Sequence, residues 1–293
     1  MQHYIKKVVI LFSILIFSGY VYSQLPPLPK IEENPPNKGD EQKNPPETNQ
    51  NEGQTDNGII FKLETIENTA LDLNFKGSLT YIENNTPKKT LEYGAKGILD
   101  IKMQDGKRLY SYKYKFEKPI EFEHGYSYLS DSVGNMTVAP NNFEPYYRNI
   151  PCFPDKALKI GDGWYSKAYK VLEFTNENIE KPDIYPIDMF YRYEGITDYR
   201  NDKVYYFTFW GVEDFNSGFA ILPGNVTNDK GEVDLGAPAR IMGEISGKIL
   251  MSTDKLLIVY QKVTTDKIYA HPNGLITEYM SEVEINTEKI KDK

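Results

Sequence analysis

Cysteine, tryptophan and histidine are scarce in this sequence, which has one cysteine, two tryptophans and three histidines among 293 residues. The single Cys152 cannot form an internal disulfide, and a lone thiol of this kind is usually buried and inert. His3 lies in the N-terminal segment, while His124 and His271 are predicted to lie at exposed turns. The sequence therefore predicts neither a disulfide framework nor a histidine-based metal site.

Recognisable catalytic motifs are missing as well. The sequence contains no H-E-x-x-H, no G-x-S-x-G and no phosphate-binding P-loop. Glycan-processing enzymes use two carboxylates at a set separation, but Glu121 with Glu123, and Glu282 with Glu284, fall on the solvent faces of predicted strands. We therefore expect no enzymatic activity, no catalytic residue, no metal and no cofactor. A glycan-active enzyme with carboxylates in an unrecognised pattern stays an open alternative.

Helical periodicity is the third absence, since no stretch repeats its apolar residues every 3.6 positions over three turns. Short alternating segments bounded by Gly, Asn and Asp occur instead, and Asp105-Gly106 is typical of a hairpin turn. These patterns predict an all-β domain over residues 58–293, built as an antiparallel curved sheet or a partly open barrel. A Gly-Ile-x-Asp, turn and aromatic-strand pattern occurs at Gly97 and again at Gly195, which two similar halves would explain.

Aromatic residues, by contrast, are abundant, with 23 tyrosines and 14 phenylalanines. Tyr110, Tyr112, Tyr114 and Phe116 alternate with polar residues and so share one face of a predicted strand. We expect this face to be buried. Such a stripe of rings either packs as core, which we favour, or lines a ligand cavity inside an open barrel.

The first 57 residues differ from the rest. Lys6 and Lys7 precede an apolar run, and small residues precede Gln24, which is the order of a secretory signal peptide over residues 1–23. A retained anchor is the alternative. Residues 24–57 are rich in Pro, Asn and Glu and predict a disordered tether. We therefore expect an exported protein, located in the periplasm or associated with the outer membrane.

The charge balance limits the partners. The chain has 42 acidic and 34 basic residues other than histidine, for a net charge of −8. An acidic exported protein is a poor match for nucleic acid or for anionic lipid. We expect no nucleic-acid partner and at most a peripheral association with a membrane, and the oligomeric state is left open.

A proline-rich string near the middle interrupts the strand pattern. Pro151 and Pro154 lack backbone donors and exclude residues 150–154 from a central ladder, so we expect an ordered crossover. The Gly161-Asp162-Gly163 turn should direct Trp164 into the core. The candidate contacts to a ligand or partner at this string are Trp164 itself and an exposed patch of Tyr146, Tyr147 and Arg148.

The string from Arg148 to Trp164, Arg-Asn-x-Pro-x-Phe-Pro-Asp-x-x-Leu-Lys-x-Gly-Asp-x-Trp, resembles one in the N-terminal β domain of spirochaetal OmpA-family envelope proteins. Residues 185–195 and 274–285 are similar to later strands of the same domain. The resemblance implies a β domain of the cell envelope. Those proteins continue into an OmpA-type domain that binds peptidoglycan, and we expect no counterpart of it here.

Two functional hypotheses follow. The first is a non-enzymatic exported cell-envelope protein, acting as a structural or interaction module in the periplasm or at the outer membrane. Its partner would be an envelope protein or a component of the cell wall. The alternative is a carrier that binds a lipid or another apolar ligand in an open β-barrel.

Overall fold

The computed structural model describes residues 58–83, 86–118, 121–172, 182–216, 240–270 and 276–290. The predicted signal peptide and tether, and His271, lie outside these ranges. The described residues contain no helix, so none is long and apolar enough to cross a membrane. The predicted all-β class is confirmed.

Within the described ranges, twelve strands form one antiparallel sheet in which almost every strand pairs with its neighbours in the chain. The first and last long strands also pair with each other, over the register from Leu71 opposite Lys289 to Ile82 opposite Glu278. The sheet is therefore nearly closed and barrel-shaped, with one unsealed seam between the fifth and sixth strands. The strands are β1 (Thr69–Glu83), β2 (Thr86–Gln104), β3 (Lys107–Lys118), β4 (Phe122–Ser130), β5 (Met136–Thr137), β6 (Tyr147–Arg148), β7 (Gly163–Leu172), β8 (Asp183–Tyr199), β9 (Asp202–Asn216), β10 (Arg240–Ser252), β11 (Ile258–Ala270) and β12 (Ile276–Lys289).

Two-residue turns set the register of two long hairpins. Asp105 and Gly106, with φ of 50° and 74°, join β2 to β3 and confirm the predicted hairpin. Arg200 and Asn201, with φ of 52° and 70°, join β8 to β9 in the same way. Positive φ at both central positions gives a turn whose twist matches the twist of the flanking strands. A one-residue slip in either hairpin would turn every inward side chain to the solvent.

The predicted crossover lies between β6 and β7, as an ordered segment packed against the chain's first described residues. Ile59 and Leu158 exchange two backbone hydrogen bonds of 2.8 Å. Residues 59–63 form no strand beyond this single bridge, and Phe61 lies in the interior of the barrel. Its ring lies about 5 Å from those of Phe153 and Phe207.

The packed side of the barrel is the part of the interior lined by β7–β10. Trp164 is buried there, as predicted, with its ring 5.3 Å from that of Tyr191 and its Nε1 donating to the Cys152 carbonyl at 2.8 Å. The Tyr191 hydroxyl donates to the Asn149 carbonyl at 3.1 Å. The proline-rich segment is thus held by hydrogen bonds from buried rings. The remaining fully buried side chains of this side include Ile187, Met189, Tyr193, Phe207, Ile245 and Ile249.

Candidate ligand cavity

A partly open cavity of about 620 Å³ occupies the opposite part of the interior. We call this the hollow side of the barrel; β1–β4, β11, β12 and the segment 144–147 line it, together with Met136, Ile150 and the β7 residue Lys170. The volume lies in the range of small-molecule sites. One end of the hollow side is packed by a small cluster that includes Leu71, Leu99 and Ile101. Beyond that cluster the same strands continue with inward side chains that meet no opposite layer.

Four cross-strand pairs between β3 and β4 form the wall that we call the aromatic ladder. The paired residues face each other in register, as antiparallel neighbours on one face do. Three of the pairs are stacked and Tyr114–His124 is edge-to-face, and both arrangements of aromatic rings add to stability beyond burial. The ring centroids are 5.1 Å apart in Tyr110–Tyr128, 4.7 Å in Tyr112–Tyr126, 5.5 Å in Tyr114–His124 and 4.4 Å in Phe116–Phe122.

The predicted tyrosine stripe is therefore divided between two environments. Tyr110 packs on the small cluster and borders a void of about 50 Å³. Tyr112 packs partly on that cluster and also lines the large cavity, and Tyr114 and Phe116 line the cavity. Burial raises the pKa of Tyr112 to about 12, so its hydroxyl stays neutral at physiological pH. The tyrosine and phenylalanine rings of the ladder thus present neutral aromatic surface to the cavity.

A polar group lies in the wall where β9, β10 and β11 meet; we call it the Glu213 cluster, made of Tyr147, Lys170, Glu213 and Lys267. The Tyr147 hydroxyl donates to Glu213 Oε1 at 2.6 Å and accepts from Lys267 Nζ at 2.6 Å. Lys267 Nζ also lies 2.8 Å from Glu213 Oε2, with both side chains almost fully buried. Lys170 Nζ lies 4.2 Å from the centroid of the Tyr147 ring.

Gly243 makes this ion pair possible. In the register of the sheet, Gly243 on β10 stands between Glu213 on β9 and Lys267 on β11. Two strand spacings separate the charged residues, and a side chain at the middle position would occupy the space over which they meet. A Cβ built on Gly243 would lie 2.2 Å from the Asp266 carbonyl oxygen. The glycine is therefore required by a close approach, and it leaves room for the pair.

The charges of the Glu213 cluster shift its protonation equilibria. Burial alone would raise the pKa of Glu213, but Lys267 and Lys170 outweigh burial and hold that pKa below its ordinary range. Burial and the neighbouring Glu213 raise the pKa of Tyr147 well above 10.0. At neutral pH the cluster therefore contains a carboxylate and a neutral phenol.

The segment 144–147 covers the cavity at the seam and is bound at both ends. At one end, Glu144 Oε2 accepts from the Tyr114 hydroxyl at 3.1 Å and lies 2.7 Å from His124 Nε2. At the other end Tyr147 joins the Glu213 cluster. His124 was predicted to lie at an exposed turn: the exposure is confirmed, but the turn is wrong, because His124 lies on β4, where it also borders the cavity.

The predicted exposed patch at this segment is also wrong for two of its three residues. Arg148 is only 8% exposed, and its Nη2 donates to the Asn142 carbonyl at 2.7 Å. Tyr147 directs its hydroxyl inward, and Tyr146 is the only one of the three that is exposed. Arg148 is buried because the loop residue Asn142 lies over its guanidinium group, and Tyr147 is held inward by Glu213 and Lys267.

Other predicted residues occupy ordinary positions. Cys152 is buried, as expected, and burial raises the pKa of its thiol. Glu121 pairs with Lys115 and Glu282 with Lys262, both at 2.8 Å. Within the described ranges, no group of three His, Cys, Asp or Glu side chains could hold a metal ion.

Of the Glu213 cluster, only Tyr147 was predicted from the sequence; Lys170, Glu213 and Lys267 were not. The available signal was charge at a position where the alternation requires an inward residue. Glu213 follows Phe207, Phe209 and Gly211 at steps of two, and Lys267 follows Val263 and Thr265 in the same way. A charge in such a series indicates either a paired buried ion or a polar group facing a cavity, and both descriptions apply here.

Comparison with protein-family models gives no match. Comparison with curated proteins also gives no significant match. The resemblance to spirochaetal OmpA-family domains therefore stays a prediction that rests on the residues quoted above.

Proposed function

We propose that this protein is a non-enzymatic carrier that binds a lipid or another ligand with a long apolar part on the hollow side of its barrel. The observation that carries the proposal is the cavity of about 620 Å³ lined by the aromatic ladder. A core that served stability alone would be filled, because protein interiors are normally close-packed. The adjoining packed side of the same sheet meets that standard.

The shape of the sheet supports entry of such a ligand. The cavity borders the segment 144–147 at the unsealed seam, so a ligand can reach it without the rupture of a long ladder. Most of the lining is apolar or aromatic, and a few polar groups converge on it, as is usual in small-molecule sites. The structural or interaction role in the envelope ranks second, with an envelope protein or a cell-wall component as partner.

The test is extraction and binding with a matched pair of variants. Organic extraction of natively purified protein should release an apolar ligand that mass spectrometry detects. Val283 on β12 faces the cavity, so Val283→Trp should fill it and lower the affinity for a fluorescent fatty-acid probe by about tenfold or more. Met280→Trp places the same side chain outside, because Met280 is exposed on the same strand. It should bind like the wild type.

Equal binding by both tryptophan variants, or no binding of any long-chain probe to folded protein, would contradict the carrier proposal. The exported location is tested separately. Mass spectrometry of the mature native protein should show an N-terminus near Gln24, whereas an intact Met1 would contradict cleavage.

A further inference from the structure

We propose that the ligand is an amphiphile with an anionic head, a carboxylate or a phosphate, which binds against Lys170 and Lys267 while its apolar part lies along the aromatic ladder. This inference rests on the proposed carrier function and adds the chemical class of the ligand.

Two lysines face the cavity at the Glu213 cluster, and the carboxylate stands behind them. Lys170 and Lys267 both line the cavity, whereas Glu213 is fully buried in the wall. A lysine is costly to bury without a counter-ion, and Glu213 lowers that cost without covering the face turned to the cavity. A ligand therefore meets ammonium groups first at this place.

The hydrogen-bond donors of Lys267 and Lys170 also favour an anionic head group. An ammonium group has three donors, and Lys267 directs two contacts to Tyr147 and Glu213. A third proton can serve an acceptor in the cavity. Lys170 adds a second ammonium, held beside the ring of Tyr147. Carboxylate and phosphate oxygens are the acceptors that make the strongest hydrogen bonds to such donors.

The carboxylate in the cavity lining is consistent with a ligand that has an anionic group at one end only. Glu144 is the only carboxylate among the described residues that line the cavity, and it contacts His124 and Tyr114 on the ladder side. The Glu144 carboxylate therefore lies next to polar atoms of Tyr114 and His124 on the ladder side of the cavity. The rest of the wall is mostly rings and aliphatic side chains, including Phe75, Leu79, Tyr279 and Val283, with the neutral polar residues Gln261, Thr265 and Ser281.

The experiment compares probes with the same chain and different heads. Hexadecanoate, hexadecyl phosphate, hexadecanol and inorganic phosphate are titrated against wild-type protein by competition with a fluorescent apolar probe. The two anionic amphiphiles should bind about tenfold or more tighter than hexadecanol. Inorganic phosphate should bind far more weakly than either, because it lacks the chain. Its binding as tightly as hexadecyl phosphate would identify a phosphate site instead and overturn the amphiphile.

The matched variants lie on opposite faces of β7. Lys170→Met should remove most of the preference for the anionic heads and leave hexadecanol binding unchanged. Lys167→Met, which removes an exposed lysine paired with Asp188, should change neither.

The double variant Glu213→Met with Lys267→Met replaces the buried pair by apolar side chains of similar size, which proteins often tolerate. It should likewise lose the preference.

Equal affinity for hexadecanol and hexadecanoate in the wild type would overturn the anionic head and leave the carrier function standing. A preference for anions that survives in both the Lys170 variant and the double variant would overturn the assigned position. Failure of every long-chain probe to bind would instead overturn the carrier proposal itself, so the two failures are distinguishable.

Discussion

The packed and hollow sides of this barrel are built from the same sheet and the same kinds of residue, yet only one of them is filled. On the packed side, β7–β10 carry Tyr191, Tyr193 and Phe207, and Phe61 and Phe153 from outside the sheet fill the space against them. On the hollow side, β3 and β4 carry rings of equal size. Ile66, from the segment before β1, packs in the small cluster with Tyr110 and Tyr112, whereas Tyr114 and Phe116 line the cavity.

The difference shows that burial in a β-barrel depends on what stands opposite an inward side chain. Alternation determines which residues face the interior, but a filled core needs a second layer. Residues 59–63 and the proline-rich crossover supply that layer on the packed side, whereas on the hollow side Ile66 and Leu257 fill one end only. The four predictions below test this difference, from the largest expected effect to the smallest.

Trp164→Ala should lower the free energy of unfolding by about 3–5 kcal/mol, because it leaves a large cavity that the close-packed side chains around it cannot relax to fill. It also removes the hydrogen bond from Nε1 to the Cys152 carbonyl. Trp210, the other tryptophan, is 44% exposed on the outside. Trp210→Ala should cost well under half as much in a urea denaturation series. Similar costs for the two would contradict the packed description.

Lys267→Met should cost about 3 kcal/mol, since it leaves the Glu213 carboxylate buried without its closest cation. The double variant in which Glu213→Met accompanies Lys267→Met should recover most of that loss, because no charge stays unpaired. Thermal unfolding of the wild type, Lys267→Met, Glu213→Met and the double variant gives a complete double-mutant cycle. A coupling free energy near zero would show that the pair does not interact as the geometry indicates.

Tyr112→Ala should cost only about 1–2 kcal/mol, whereas Tyr191→Ala should cost about 3–5 kcal/mol. Both changes remove one inward tyrosine from a stacked pair. The first enlarges a cavity that already exists, and the second opens one in packed surroundings. Denaturant unfolding of the two proteins measures the difference between the sides directly. Equal costs would favour core packing along the whole tyrosine stripe and weaken the carrier proposal.

Acidification should produce the smallest effect. Because the folded-state pKa of Glu213 is lowered, its stabilising contribution is complete above the ordinary value of 4.5 and is lost as the pH falls through the folded value. The Glu213→Gln variant should therefore lose less stability than the wild type between about pH 5 and pH 3. A Glu213 variant with the same slope as the wild type would contradict the lowered pKa.

The sequence by itself determined the all-β class, the Asp105-Gly106 turn, the inward face of β3 and the burial of Trp164. Each of these follows from local chemistry: the period of two, the dihedral angles that a turn requires, and prolines that cannot donate to a ladder. The wrong expectations failed for a related reason. Arg148 and His124 were judged from their neighbours in the chain, while their positions depend on strands and segments far away.

Only the tertiary structure decided which inward face is packed and which is hollow. Closure of β1 on β12 brings Val283 and Tyr279 to the same cavity as the aromatic ladder. A local sequence pattern does not predict how far apart such residues lie across the barrel. The Glu213 cluster depends in the same way on contacts between distant strands, because Tyr147, Glu213 and Lys267 meet only when β6, β9 and β11 are in place and Gly243 leaves the space between them. Alternation is a property of one strand, whereas volume and ion pairing are properties of the closed sheet.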